Sequence, residues 1–202
     1  GLAITADIDA QRIVALNIED GKQKWIYPVG SRVDFSPAYY NGLCLFAAKD
    51  GWVHCLNSDT GKLAWKLLIP PLDRLIGGQD KLESQWPMVS DVLIIKGVGY
   101  VSAGLSFDHL GGVRVVAFKV DTGEIVWSQT YYDEKHTGYG PGPCANMLSA
   151  GNSSNGLVLL MDDISIEPLT GKILRRNSGL GGVLKTQMDD VLAGGNSLPR
   201  NG

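Results

Sequence analysis

Apolar residues along this chain recur at every second position in short runs, and no stretch carries the 3.6-residue period of an amphipathic helix. Val53 and Cys55 stand before a polar turn, and Leu63 and Trp65 stand after it. That alternation puts one apolar face on a pair of half-buried strands. Between the runs lie turn dipeptides. Asn41-Gly42 separates the run from Phe35 to Tyr40 from that of Leu43 to Ala47, and Lys96-Gly97 separates Leu93-Ile94-Ile95 from Tyr100-Val101-Ser102. Such pairs suit two-residue hairpin turns, whose central residues take positive φ. The pattern predicts an all-β fold.

A longer period organises these strands. Ala15-Leu16-Asn17-Ile18-Glu19-Asp20-Gly21-Lys22-Gln23-Lys24-Trp25 is followed forty positions later by Cys55-Leu56-Asn57-Ser58-Asp59-Thr60-Gly61-Lys62-Leu63-Ala64-Trp65. Ala117-Phe118-Lys119-Val120-Asp121-Thr122-Gly123-Glu124-Ile125-Val126-Trp127 is a third copy, and Ile166 to Arg175 a degenerate fourth, built on Gly171 with Arg175 where the others have tryptophan. Each copy reads as a hairpin, with two strands upstream of it in the complete units. The period is therefore a four-stranded antiparallel meander, the blade of a β-propeller. The blades fall at about residues 1–30, 31–70, 84–130 and 144–178, and residues 179–202 begin a further blade or supply a closing strand. Only three strands are visible in the first unit. In the fourth they are expected at Met147-Leu148-Ser149, Leu157 to Met161, Ile164 to Ile166 and Lys172 to Arg176.

Composition narrows the classes of function. Of 202 residues 44% are hydrophobic and 19% charged, with a net charge of −3. This gives no basic footprint for nucleic acid, and no apolar run approaches the ~18 residues of a membrane-spanning helix. Gly1 is not a native initiator, so the sequence reads as a processed product or a piece of a longer chain. Cys44, Cys55 and Cys144 are odd in number and have no metal-type spacing. A two-residue turn at Lys49-Asp50 would set Cys44 opposite Cys55. A turn shifted by one residue would make them diagonal neighbours, and a three-residue loop would put them on opposite faces. Buried free thiols are the expected state.

Function is expected on one face. In an antiparallel meander the connections between blades and the central hairpin loops emerge at one end, while the short Asp-Thr-Gly turns emerge at the other. All the long insertions, at 70–85, 105–112 and 131–143, fall at the first end. Long loops on a rigid scaffold are the usual carriers of binding. Candidate binding residues are Asp73, Arg74 and Glu83, then Asp108 and His109, then Tyr131, Tyr132, Asp133, His136 and Tyr139. Tyrosines interleaved with polar residues suit a protein or polysaccharide surface, or else pack their loop onto the scaffold. Asp133, Glu134 and His136 near Cys144 fit no zinc spacing and read better as a solvated loop, and Asp108-His109 lacks a nucleophile in a recognisable context. No catalytic, cofactor-binding or metal residue is assigned.

The pattern Ala-Leu/Phe-x-x-Asp-Thr-Gly-Lys/Glu-x-x-Trp resembles the tryptophan-docking repeat of pyrroloquinoline-quinone (PQQ)-like bacterial β-propellers. The match is best at Asp59, Thr60, Gly61, Lys62 and Trp65. Leu82-Glu83-Ser84-Gln85-Trp86-Pro87, followed by Gly111-Gly112, is similar to members of planctomycete type. The resemblance implies that Trp25, Trp65 and Trp127, with Gly21, Gly61, Gly123 and Gly171, are packing devices between blades. It also implies a periplasmic or secreted location. Quinoprotein dehydrogenases of this kind hold the quinone with Ca²⁺ on the axis of an eight-bladed ring and often carry a vicinal Cys-Cys, which this chain lacks. Outer-membrane assembly lipoproteins share the repeat without a cofactor. The expectation is a non-catalytic scaffold that binds a macromolecular partner through the insertion face, with no cofactor. The alternative is a piece of a PQQ-dependent dehydrogenase, with PQQ and Ca²⁺, or of a polysaccharide-processing propeller. A ring would be completed by a homodimer or by the remainder of a longer chain.

Overall fold

The computed structural model describes residues 1–78, 81–105, 112–131, 148–153, 156–161 and 164–176. Sheet 1 contains β1 (Leu2–Asp7), β2 (Arg12–Asn17) and β3 (Gln23–Pro28). Sheet 2 contains β4 (Ala38–Tyr40), β5 (Leu43–Ala47), β6 (Trp52–Asn57) and β7 (Leu63–Leu68). A separate hairpin follows, β8 (Leu75–Gly78) with β9 (Lys81–Ser84). Sheet 3 is β10 (Leu93–Ile95), β11 (Val98–Ala103), β12 (Val113–Lys119) and β13 (Ile125–Tyr131). Sheet 4 is β14 (Ser149–Ser153), β15 (Gly156–Met161), β16 (Ile164–Ile166) and β17 (Ile173–Arg176). All four are antiparallel meanders, so the all-β expectation holds, and sheet 1 has the three strands its sequence offers.

The hairpin dipeptides do what their composition requires. Asn41 and Gly42 sit at φ 45° and 81°, and Lys96 and Gly97 at 49° and 81°, the paired positive values of a tight hairpin. Three local expectations are corrected. The strand expected from Phe35 begins only at Ala38, because Pro37 has no N–H to give the ladder. The first strand of sheet 4 starts at Ser149 and continues to Ser153, while Met147 lies outside the described residues. The insertion at 70–85 is not a plain loop, since Leu75 to Gly78 pair with Lys81 to Ser84 as β8 and β9.

One irregularity recurs in all four sheets. Ala15 opposes Trp25 but Leu16 opposes Gln23, and the same step follows Cys55 opposite Trp65, Ala117 opposite Trp127 and Ser165 opposite Arg175. One extra residue in the outer strand (Lys24, Ala64, Val126, Leu174) reverses the alternation there. The bulge turns each tryptophan toward the next sheet. Trp25 Nε1 donates to the Ser58 carbonyl at 2.9 Å, Trp65 Nε1 to Val120 at 3.1 Å, and Trp127 Nε1 to Pro168 at 2.8 Å. Under each indole is the turn glycine of the following sheet. A Cβ added at Gly61, Gly123 or Gly171 would stand 2.6, 2.9 or 2.7 Å from the ring. The same turn glycine in sheet 1, Gly21, has nothing within 4 Å.

The core is correspondingly divided into seams. Ile13, Ala15 and Trp25 pack on Cys44, Phe46, Ala48 and Leu56 between sheets 1 and 2. Leu45, Ala47, Val53 and Cys55 pack on Val101, Ala103, Val116 and Phe118 between sheets 2 and 3. Val113, Val115 and Ala117 pack on Leu159, Met161, Ile164 and Ile166 between sheets 3 and 4. Cys44 and Cys55 are free, buried and on opposite faces of sheet 2, because Leu45 opposes Cys55 across the three-residue loop Lys49-Asp50-Gly51. Burial pushes both thiols up to about 12, Cys55 with a further push from Cys44.

Candidate functional site

The end of the molecule that carries the linkers is braced from below by one loop. Lys49 N–H donates to the Arg32 carbonyl in the linker entering sheet 2, and the Ser84 N–H donates to the Lys49 carbonyl, both at 2.8 Å. Ile69 N–H reaches the Gly51 carbonyl at 3.0 Å, and a Cβ on Gly51 would collide with Pro70 at 2.6 Å. Glycine is required there, at φ 92°, both by the backbone and by this approach.

Side chains add an ionic brace. Arg32 meets Asp34 at 2.8 Å, and the Lys49 ammonium lies 3.3 Å from the other Asp34 oxygen while donating to the Met88 carbonyl at 3.2 Å. Burial pushes the Asp34 carboxyl up, but the bonds from Arg32 and Lys49 outweigh it and hold the group below the usual carboxylate range. Asp34 and then Glu83 hold Arg32 more firmly protonated. Asp50 and Asp91 are shifted the other way, upward, chiefly by burial; the Trp52 N–H on Asp50 offsets this in part. The linker entering sheet 2 and the β5–β6 loop are thus tied by charge pairs partly shielded from water, where such pairs are stronger than at an open surface, and hydrogen bonds to backbone groups add the segments at Ile69, Ser84 and Met88.

Above this base stands the β8–β9 hairpin. Leu72, Leu75, Ile76 and Leu82 are all exposed, at 68, 44, 44 and 62%, along with Leu105 just beyond β11. An isolated two-stranded hairpin is of marginal stability in water, so this amount of apolar surface is anomalous on a lone element.

Candidates from the sequence divide three ways. Asp73 and Arg74 are exposed and Glu83 half-buried, all at this end, with the Asp73 charge acting on Asp50 and the Glu83 charge on Arg32. Asp108, His109, Tyr132, Asp133, His136 and Tyr139 lie outside the described residues. Tyr131 takes the packing alternative that the sequence left open: it closes β13 inside the seam with sheet 4, and its hydroxyl donates to the Gly171 carbonyl. Arg32, Asp34 and Lys49 had no signal in the sequence, because their pairing depends on linkers folded over one loop. Among the described residues no three His, Cys, Asp or Glu side chains gather as metal ligands would.

Residues 2–140 match the PQQ-type family described as outer membrane protein assembly factor BamB. The chain belongs to this PQQ-like repeat family. It is 29% identical over 137 residues to the quinoprotein alcohol dehydrogenase PedH of Pseudomonas putida, a span that covers 63% of this chain and 21% of that enzyme. Among solved structures it is similar to the quinohemoprotein alcohol dehydrogenase of Comamonas testosteroni, with a TM-score of 0.63 at 15% identity over 88% of this chain and 33% of that one. The quinohemoprotein alcohol dehydrogenase ADHIIG of Pseudomonas putida HK5 gives 0.59 at 16% identity over the same shares of the two chains. These likenesses establish the fold of the PQQ-like chain: its sheets are blades of a β-propeller. The chain spans about a fifth of the curated relative and a third of the two solved dehydrogenases.

Proposed function

We propose that this PQQ-like chain is a non-catalytic propeller module that binds another protein through the face bearing the β8–β9 hairpin. The observation that carries the reading is the exposed apolar hairpin of Leu75, Ile76 and Leu82 standing on an ionically braced base. Apolar surface left exposed above a braced base suits protein contact. Trp25, Trp65 and Trp127 then serve as docking residues between blades, which their bonds to the next blade support. Location in the periplasm or outside the cell belongs to the same reading, supported by the family alone; no described helix is long and apolar enough to cross a membrane.

The second reading is a part of a quinone-dependent dehydrogenase, favoured by the 29% identity to PedH. Equilibrating the purified protein with PQQ and Ca²⁺, desalting it and reading the quinone absorbance separates the two. No retained quinone is expected, and stoichiometric retention overturns the module reading. Replacing Leu75, Ile76 and Leu82 with serine is expected to abolish partner capture at an unchanged melting temperature. Capture that survives the triple change places the contact elsewhere.

A further inference from the structure

His54 is the one imidazole among the described residues, and its place in the fold is unlike that of its counterparts. Strand register makes it equivalent to Val14 in blade 1 and Val116 in blade 3, both one position before the residue that opposes the tryptophan. It is 1% exposed, on the side of β6 that packs on blade 1. Its ring stacks on Phe46 at 4.9 Å between centroids, and Nδ1 is hydrogen-bonded to the Tyr27 hydroxyl of blade 1 at 3.2 Å. The other nitrogen, Nε2, is buried with no partner. Whichever tautomer is present, one donor or acceptor is left unmet, so this seam holds a polar ring where an aliphatic one would serve.

We propose that His54 is an acid-sensitive latch between blades 1 and 2, closed while the imidazole is neutral and released when it takes up a proton. An imidazolium is a donor at both nitrogens, and only the Tyr27 oxygen is there to accept. The charged groups around it do not help. Lys66 on β7, directly opposite His54, repels the added charge, and Asp50 in the β5–β6 loop acts on Tyr27. Phe46 on β5 offers only a ring face. The proton is accommodated by opening the seam, which lets water reach Nε2, and the Tyr27 contact that joins the two blades is lost with it.

The sign follows from linkage. Burial, then Lys66, pushes the folded imidazole from 6.5 down to about 3. Between those values the open chain binds more protons than the closed one, so the latch is fully closed above pH 6.5 and weakens as pH falls toward 3. The test is thermal unfolding at pH 7.5 and 4.5 combined with hydrogen exchange resolved by peptide, on the wild type, His54→Val and His54→Gln. Wild type is expected to lose roughly 5–10 °C in Tm on acidification, with exchange in β1–β3 rising about tenfold over the intrinsic pH effect and β12 unchanged. His54→Val places in blade 2 the residue that blades 1 and 3 use, and is expected to remove most of that loss. If His54→Val does not fold, His54→Gln, polar but not titrating, decides in the same way. Equal acid loss in the variants, no loss in the wild type, or exchange rising evenly through all blades overturns the latch.

Discussion

Gly61, Gly123 and Gly171 hold φ of 68°, 74° and 73° beneath an indole, and Gly21 holds 68° beneath nothing. This separates two requirements that usually coincide in a turn glycine. Alanine at Gly21 meets only backbone strain, about 1–2 kcal/mol. Alanine at Gly123 meets the same strain and also Trp65, whose ring has to shift, adding about 1–3 kcal/mol of overpacking. Urea titrations of the two variants side by side should give Gly123→Ala the larger loss; equal losses would mean that the indole gives way freely. The sequence shows the turn glycine and the tryptophan as members of one repeat, and a contact between an indole and another blade was only what the family resemblance implied; in the structure each indole lies over the glycine of the next repeat. His54 and Asp34 were not legible there, because what defines them is a partner on another element: Tyr27 for one, Arg32 with Lys49 for the other.

A strand's two faces belong to different seams, and β5 with β6 makes this measurable. The Lys49-Asp50-Gly51 loop offsets Cys44 from Cys55 by one position, so Cys44 is covered by blade 1 and Cys55 by blade 3. The sequence left three turn geometries open, and the loop length settles the matter; the alternation of residues within the strands was never in doubt. With both thiols pushed up to about 12 by burial, reaction with a thiol reagent near pH 8 requires local opening. Cys44 is freed when blade 1 alone departs, whereas Cys55 needs blades 2 and 3 to part. In mild urea, peptide mass spectrometry should find Cys44 modified well before Cys55, and simultaneous modification would show that the two seams open as one. The β8–β9 hairpin was missed at this same scale: Gly77-Gly78 reads as loop, yet both glycines lie in β8 opposite Leu82 and Lys81, a pairing visible only once both strands are in place.

At the scale of the molecule, each described core cluster joins consecutive blades, so stability is close to a sum over blades and the seams between them. In such an array the position of a lesion matters as much as its size. Trp25 and Trp65 make the same bond to the next blade, and truncating either to alanine removes a packed indole at a cost of about 3–5 kcal/mol. Trp25→Ala weakens the seam that holds blade 1, which also exposes Thr5 and Ile26 on its far side. Its expected effect is early loss of blade 1, seen as fast exchange in β1–β3, ahead of a main transition that hardly moves. Trp65→Ala weakens the seam between blades 2 and 3, so that blades 1–2 and 3–4 are no longer obliged to unfold together. Far-UV circular dichroism through a urea titration should then resolve two transitions for Trp65→Ala and one dominant transition for Trp25→Ala. A single shared transition, displaced equally by both substitutions, would mean that the array unfolds as one cooperative unit and that the seams are coupled more tightly than a sum of neighbours allows.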